Sequence, residues 1–160
     1  MVDRTVALRE ETTAARDELM AAIESLADED WDGPTANPGW TARDVLIHLV
    51  VSEPGNLTRM TRILEGRGEL PPDWDLNRYN NRQVEKQRGA SVGDLVGRLR
   101  KSRAELLVFL DGLSEDQLDV RGWHASGREL SLAEIFRVMA NHERGHAADI
   151  RSASPPRVSG

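Results

Sequence analysis

Cysteine is absent from the 160-residue chain. That absence excludes a disulfide framework, a thiolate metal ligand, an iron–sulfur cluster and a cysteine nucleophile. Any thiol chemistry has to bring its thiol from a substrate or cosubstrate. An excess of basic charge is also missing: 21 Lys and Arg stand against 27 Asp and Glu, a formal net charge of -6. A general binder of nucleic-acid backbone needs a basic face, so no nucleic-acid partner is expected. Long apolar runs are lacking too. The longest, Val45–Val51, is interrupted by His48 and falls far short of the roughly 20 residues of a membrane span. The charged start MVDRTVALREE has no apolar signal-peptide segment. These features predict a cytoplasmic protein with no membrane partner.

What remains suits one folded domain. The 39% hydrophobic content is distributed along the chain and is enough for one core. Residues 1–151 are expected to form that domain. Residues 152–160, with Pro155-Pro156, are expected to be a tail. Four segments carry apolar residues at three- and four-residue steps, the period of an amphipathic helix. The first covers about Asp3–Ala27, with Leu8, Thr12, Ala15, Leu19, Ile23 and Leu26 on one face. The second opens with Thr41-x-x-Asp44, similar to a capping box, and runs to about Glu65. Pro54 lies inside it, where the ring removes a helical hydrogen bond and is expected to kink the helix. The third opens at Ser91 and ends near Gly112. The fourth opens at Ser131 with Glu134 completing a capping box. A short extra helix is expected within Asp73–Gly89. No segment alternates in the manner of a strand. The pattern predicts an all-α protein, an up-down-up-down four-helix bundle with the extra helix between the second and third helices.

Three of the four histidines fall on the apolar stripes. His142 and His146 are four residues apart, so both imidazoles face the same side of the last helix. His48 lies between Val45 and Leu49 on the second helix. Spacing leaves two readings open. The three can be hydrogen-bonded core residues, or three nitrogen ligands to a divalent metal with open positions for water or substrate. His142-Glu143-Arg144-Gly145-His146 is a literal H-E-x-x-H, the zinc-protease pattern. The protease reading is discounted: a third ligand usually lies downstream, yet the last 14 residues contain neither His nor Glu. No strand is expected to hold a peptide, and Glu143 reads as solvated or paired with an Arg.

Gly39-Trp40-Thr41-Ala42-Arg43-Asp44-Val45-Leu46-Ile47-His48-Leu49, together with the late His142-x-x-x-His146 followed by Asp149-Ile150, resembles the DinB-like superfamily. That superfamily includes the N-terminal domain of mycothiol-dependent maleylpyruvate isomerase. The resemblance covers nearly the whole chain. It implies a four-helix bundle with a divalent metal, usually zinc or nickel, held by His48, His142 and His146. It implies a metal-dependent transferase that joins a low-molecular-weight thiol, such as mycothiol or bacillithiol, to a small electrophile, and it implies that homodimers are common. The isomerase branch carries Glu where this chain has His142, which argues against maleylpyruvate activity itself. A metal-binding bundle without catalysis and a metal-assisted hydrolase are the competing readings. A divalent metal lowers the pKa of a bound thiol or of water alike.

Other residues are read more plainly. Trp40 is expected to pack at the start of the second helix and, in a second reading, to line the pocket. Tyr79 and Asn80 are candidates to cover the cavity and bind polar groups of the substrate. Asp44 is expected to face the helix dipole, Arg144 to be solvated, and His124 not to be a ligand.

Overall fold

The computed structural model describes residues 3–154; the part of the expected tail from residue 155 onward lies outside the described residues. Six helices and one short hairpin follow one another: α1 (Arg4–Ser25), α2 (Ala42–Leu64), α3 (Leu76–Gln87), α4 (Val92–Asp111), α5 (Glu115–Leu118), β1 (Arg121–Trp123), β2 (Glu129–Ser131) and α6 (Leu132–Ser152). The starts are set by side chains that satisfy otherwise orphaned backbone N–H groups. Asp3 accepts from Thr5 N at 2.9 Å and Ser91 from Asp94 N at 3.1 Å. Thr41 with Asp44 and Ser131 with Glu134 both form reciprocal capping boxes. α2 runs unbroken through Pro54, whose ring lies on the exposed side.

The bundle consists of α1, α2, α4 and α6, with α6 packed against α1 and α2, and α4 packed against α2 and α1. Two apolar clusters give the helix directions. One joins Leu19 and Ile23 of α1, Val45 and Leu46 of α2, Leu95 and Leu99 of α4, and Ala147 and Ile150 of α6. The other joins Leu8, Met60 and Ile63, Leu106 and Leu110, and Leu132 and Phe136. The late part of α1 thus meets the early parts of α2 and α4 and the late part of α6. The all-α four-helix bundle is as expected. In chain order its directions are up, down, down, up rather than a strict alternation. The cause is the connection between α2 and α4. Its 12-residue α3 gives about 18 Å of rise and carries the chain back along the bundle, with Val84 buried in the first cluster.

Two elements have no counterpart in the sequence expectations, the four-residue α5 and the hairpin. Its strands are three residues each, with Arg121 opposite Ser131 and Trp123 opposite Glu129, too short to show an alternating pattern. Gly127 takes a positive φ of 83° in the turn, a conformation that suits glycine. Gly122 sits so close to α2 that a Cβ there would lie 2.5 Å from Ile63 Cγ1.

Gly122→Ala is therefore expected to destabilise the fold by about 1–3 kcal/mol through overpacking. In urea unfolding, the added cost of Gly122→Ala should be smaller in an Ile63→Ala background, which vacates the space.

Candidate metal centre

The three histidines meet. His48, in the second turn of α2, and His142 and His146, one turn apart on α6, present side-chain nitrogens that all lie within 4.8 Å of one another. His48 Nε2 is 2.9 Å from His142 Nε2, and His146 Nε2 is 3.1 Å from the same atom. The rings stand nearly edge-on to each other. His48 is buried and the other two are half-buried. The site lies between the two apolar clusters, so its polar atoms have little water to turn to.

The outer nitrogens fix the tautomers. His146 Nδ1 donates to Asp149 Oδ2 at 2.9 Å, which leaves Nε2 with its lone pair. Ser52 Oγ donates to the His48 backbone carbonyl at 2.7 Å and lies 3.4 Å from His48 Nδ1, whose hydrogen it is placed to accept. His48 Nε2 then also carries a lone pair. His142 Nε2 faces both of them and can donate to only one. Three hydrogen-bonded core histidines would thus leave a lone pair unsatisfied, whereas a divalent cation accepts all three. Metal–nitrogen bonds of about 2.0–2.1 Å at tetrahedral angles place neighbouring nitrogens about 3.3 Å apart, close to the two short separations observed. Imidazole donors suit a first-row divalent ion. Burial, followed by the charge of His146, lowers the His48 pKa to about 4. Burial, followed by His146, His48 and His124, lowers that of His142 to about 3. Both are neutral donors near pH 7.

Next to the triad lies a buried charge cluster with one residue from each bundle helix: Arg16 of α1, Glu53 of α2, Arg103 of α4 and Glu143 of α6. Arg16 pairs with Glu53 at 2.8 Å and also with Glu143. Arg103 Nη2 bridges Glu53 and Glu143 at 2.8 and 2.9 Å. Ser102 donates to Glu53 at 2.7 Å, and the arginines also donate to Leu99 O and Thr12 O. Burial opposes the charge of Arg103, but Glu53 and Glu143 outweigh it and raise its pKa. Glu143 thus takes the Arg-paired alternative and is not solvated. With both oxygens bound to arginines it is not a free base beside the histidines, which removes the structural basis for the zinc-protease reading. Glu53, Arg16 and Arg103 were not singled out from the sequence. The available signal was that each stands at a stripe position of its helix.

A narrow cleft runs from His142 to the charge cluster, lined among others by Ser52, Glu53, Asn56 and Met139. Trp40 packs on His48, the ring centroids 5.0 Å apart, and is not among the cleft-lining residues. Tyr79 is exposed and rests on Trp74 at 5.1 Å. Neither Tyr79 nor the half-buried Asn80 is among the cleft-lining residues. His124 is buried in the hairpin loop, outside the three-histidine group. Asp44 caps α2 and pairs with Arg88 at 3.3 Å. Arg144 is partly exposed, 3.4 Å from Glu18.

Residues 11–150 match the sequence profile of the DinB superfamily, and the chain belongs to that superfamily. No curated protein matches it in sequence. Solved structures share the fold. YfiT from Bacillus subtilis is described as a probable metal-dependent hydrolase with an unusual four-helix bundle topology. It superposes with a TM-score of 0.78 at 19% identity, over 94% of this chain and 85% of its own. Mycothiol-dependent maleylpyruvate isomerase gives 0.75 at 18% identity, over 91% of this chain and 61% of its own. The colibactin self-resistance protein ClbS, solved in complex with double-stranded DNA, gives 0.75 at 13% identity, over 91% and 92%. Among the described residues no helix is long and apolar enough to cross a membrane.

Two outcomes test this geometry. Arg103→Met leaves two buried carboxylates sharing one arginine, and should cost about 3–5 kcal/mol. Part of that loss should return in Arg103→Met/Glu143→Leu, measured by urea unfolding. The lowered pKa values of His48 and His142 set a second expectation. Between pH 6.5 and about 4 the unfolded chain binds protons at these residues that the folded chain refuses. Metal-free protein should therefore be most stable above pH 6.5 and lose about 1.4 kcal/mol per pH unit per histidine on acidification. His142→Gln should flatten that slope.

Proposed function

We propose that this protein is a metal-dependent enzyme that joins a low-molecular-weight thiol, of the mycothiol or bacillithiol kind, to a small electrophile. His48, His142 and His146 would hold the divalent ion, zinc or nickel. The observation that carries the reading is the convergence of three imidazoles, one of them on a cleft whose carboxylates are all engaged by arginines. Such a donor set leaves the ion its full positive charge and leaves positions open on the cleft side. When bound, the ion lowers the pKa of a thiol and holds its sulfur in place.

The chain's own residues do the rest. Asp149 and Ser52 keep the His146 and His48 rings turned toward His142, the outer-shell role that orients metal ligands. Arg16 and Arg103 keep Glu53 and Glu143 from competing as ligands. Trp40 walls the His48 side. The thiol proton leaves to solvent, a sulfur–carbon bond forms, and the leaving group departs from that carbon with its electron pair. The absence of cysteine leaves no internal thiol to compete for the electrophile.

Metal-assisted hydrolysis is the second reading, favoured by the fold shared with YfiT. A metal-binding bundle without catalysis is the third. The experiment is metal content of tag-free protein by elemental mass spectrometry, with thiol consumption in the presence of reactive electrophiles. Near-stoichiometric divalent metal is expected in the wild type and lost in His146→Ala, with thiol loss that depends on the metal. Turnover without thiol would move the reading to hydrolysis. Metal without any turnover would leave the non-catalytic bundle. No metal after reloading with zinc, nickel and manganese would end the metalloenzyme reading.

A further inference from the structure

His124 sits in the hairpin loop, yet its hydrogen bonds lead into the cleft. The Ser126 backbone N–H donates to His124 Nδ1 at 3.2 Å, and Ser126 Oγ lies 2.8 Å from the same nitrogen. Nδ1 is thereby an acceptor, so the ring hydrogen is on Nε2. That Nε2–H donates to Asn56 Oδ1 at 3.1 Å. The orientation of the Asn56 amide is then settled: oxygen toward His124, nitrogen toward the α2 backbone. Nδ2 donates one hydrogen to the Ser52 carbonyl at 3.1 Å. Its second hydrogen has no protein acceptor among the described residues, and Asn56 shares the cleft wall with His142.

The position of this donor is informative. His48, Ser52 and Asn56 follow at four-residue steps on one face of α2. Eight residues of helix give about 12 Å of rise between His48 and Asn56. A ligand seated on the histidines therefore reaches Asn56 through a chain of several bonds, not through the atoms next to its sulfur. We propose that Asn56 is a specificity-determining residue for the thiol, donating to a carbonyl oxygen several bonds from the sulfur, and that His124 is its positioning residue. The ligand class is an amide-bearing thiol. The inference rests on the thiol reading of the site given above.

The test uses full-length, tag-free, zinc-loaded protein and two probes, titrated by calorimetry. N-acetylcysteamine carries a thiol and an amide carbonyl; 1-butanethiol carries the thiol alone. The wild type should bind N-acetylcysteamine about tenfold more tightly, the scale of one added hydrogen bond. Asn56→Ala and the near-isosteric Asn56→Asp should abolish that preference, and His124→Ala should reduce it, with zinc content unchanged in all three. A purely structural role would weaken both probes together and leave their ratio intact, which would overturn the proposal. Equal affinities in the wild type would also overturn it while leaving the thiol reading standing. Zinc-loaded protein that binds neither thiol would overturn both.

Discussion

The geometry of the molecule depends on four buried charges, one from each bundle helix. Arg16, Glu53, Arg103 and Glu143 are balanced in sign and bonded to one another across the core. Desolvating such groups offsets most of their attraction, so their net contribution to stability is small or even unfavourable. Their effect on register is different. Leucine stripes tolerate a slide of one helix past another, because one apolar contact replaces a similar one. A slide that separates Arg103 from Glu53 and Glu143 strands charge in the core. The cluster therefore pins α2 against α6, and with them the histidines, at one relative height.

This pinning explains how three imidazoles are held close without a cysteine or a free carboxylate to help. Glu53 is five residues from His48 along α2, and Glu143 directly follows His142 on α6. Each carboxylate is anchored to arginines from α1 and α4. The two helices that carry none of the three histidines thus fix the two that do. His48 and His142 are neutral before any ion arrives, and the charges of the neighbouring cluster cancel. A cation placed there is offset by no negative ligand, and it retains its power to polarise what binds next to it.

Helices α2, α4 and α6 were legible in the sequence because two independent signals coincide at each: Thr41 with Asp44, Ser91 with Asp94 and Ser131 with Glu134 mark starts, and the apolar steps mark faces. The His142–His146 pair was legible for the same reason, as spacing on a helix is direct geometry. The return of α3 along the bundle was less so, since a short polar helix reads alike whether it runs forward or back. The hairpin was hidden by its length: three residues do not make a period. The charge cluster was hidden by a default. A charged side chain reads as solvated unless a partner is seen, and the partners of Arg103 are 40 and 50 residues away in sequence. Its place between Leu99 and Leu106 marked it as inward, a signal that acquires meaning only once Glu53 and Glu143 are known to face it. The role of His124 depended on Asn56, 68 residues earlier, and no local pattern announces that pair.

The separation of His48 from His142, 94 residues, has a consequence for how the protein is made. During synthesis α1, α2, α3 and α4 leave the ribosome before the helix that carries two of the three histidines and the last of the four core charges. Until α6 packs, Arg16 and Arg103 face Glu53 alone, with an unpaired positive charge at the centre and only one imidazole in place. Docking of α6 closes the charge cluster and assembles the histidine triad in one event. Contacts of such long range form late in folding. The three-histidine cluster is thereby a property of the finished bundle, and nascent chains present no assembled triad.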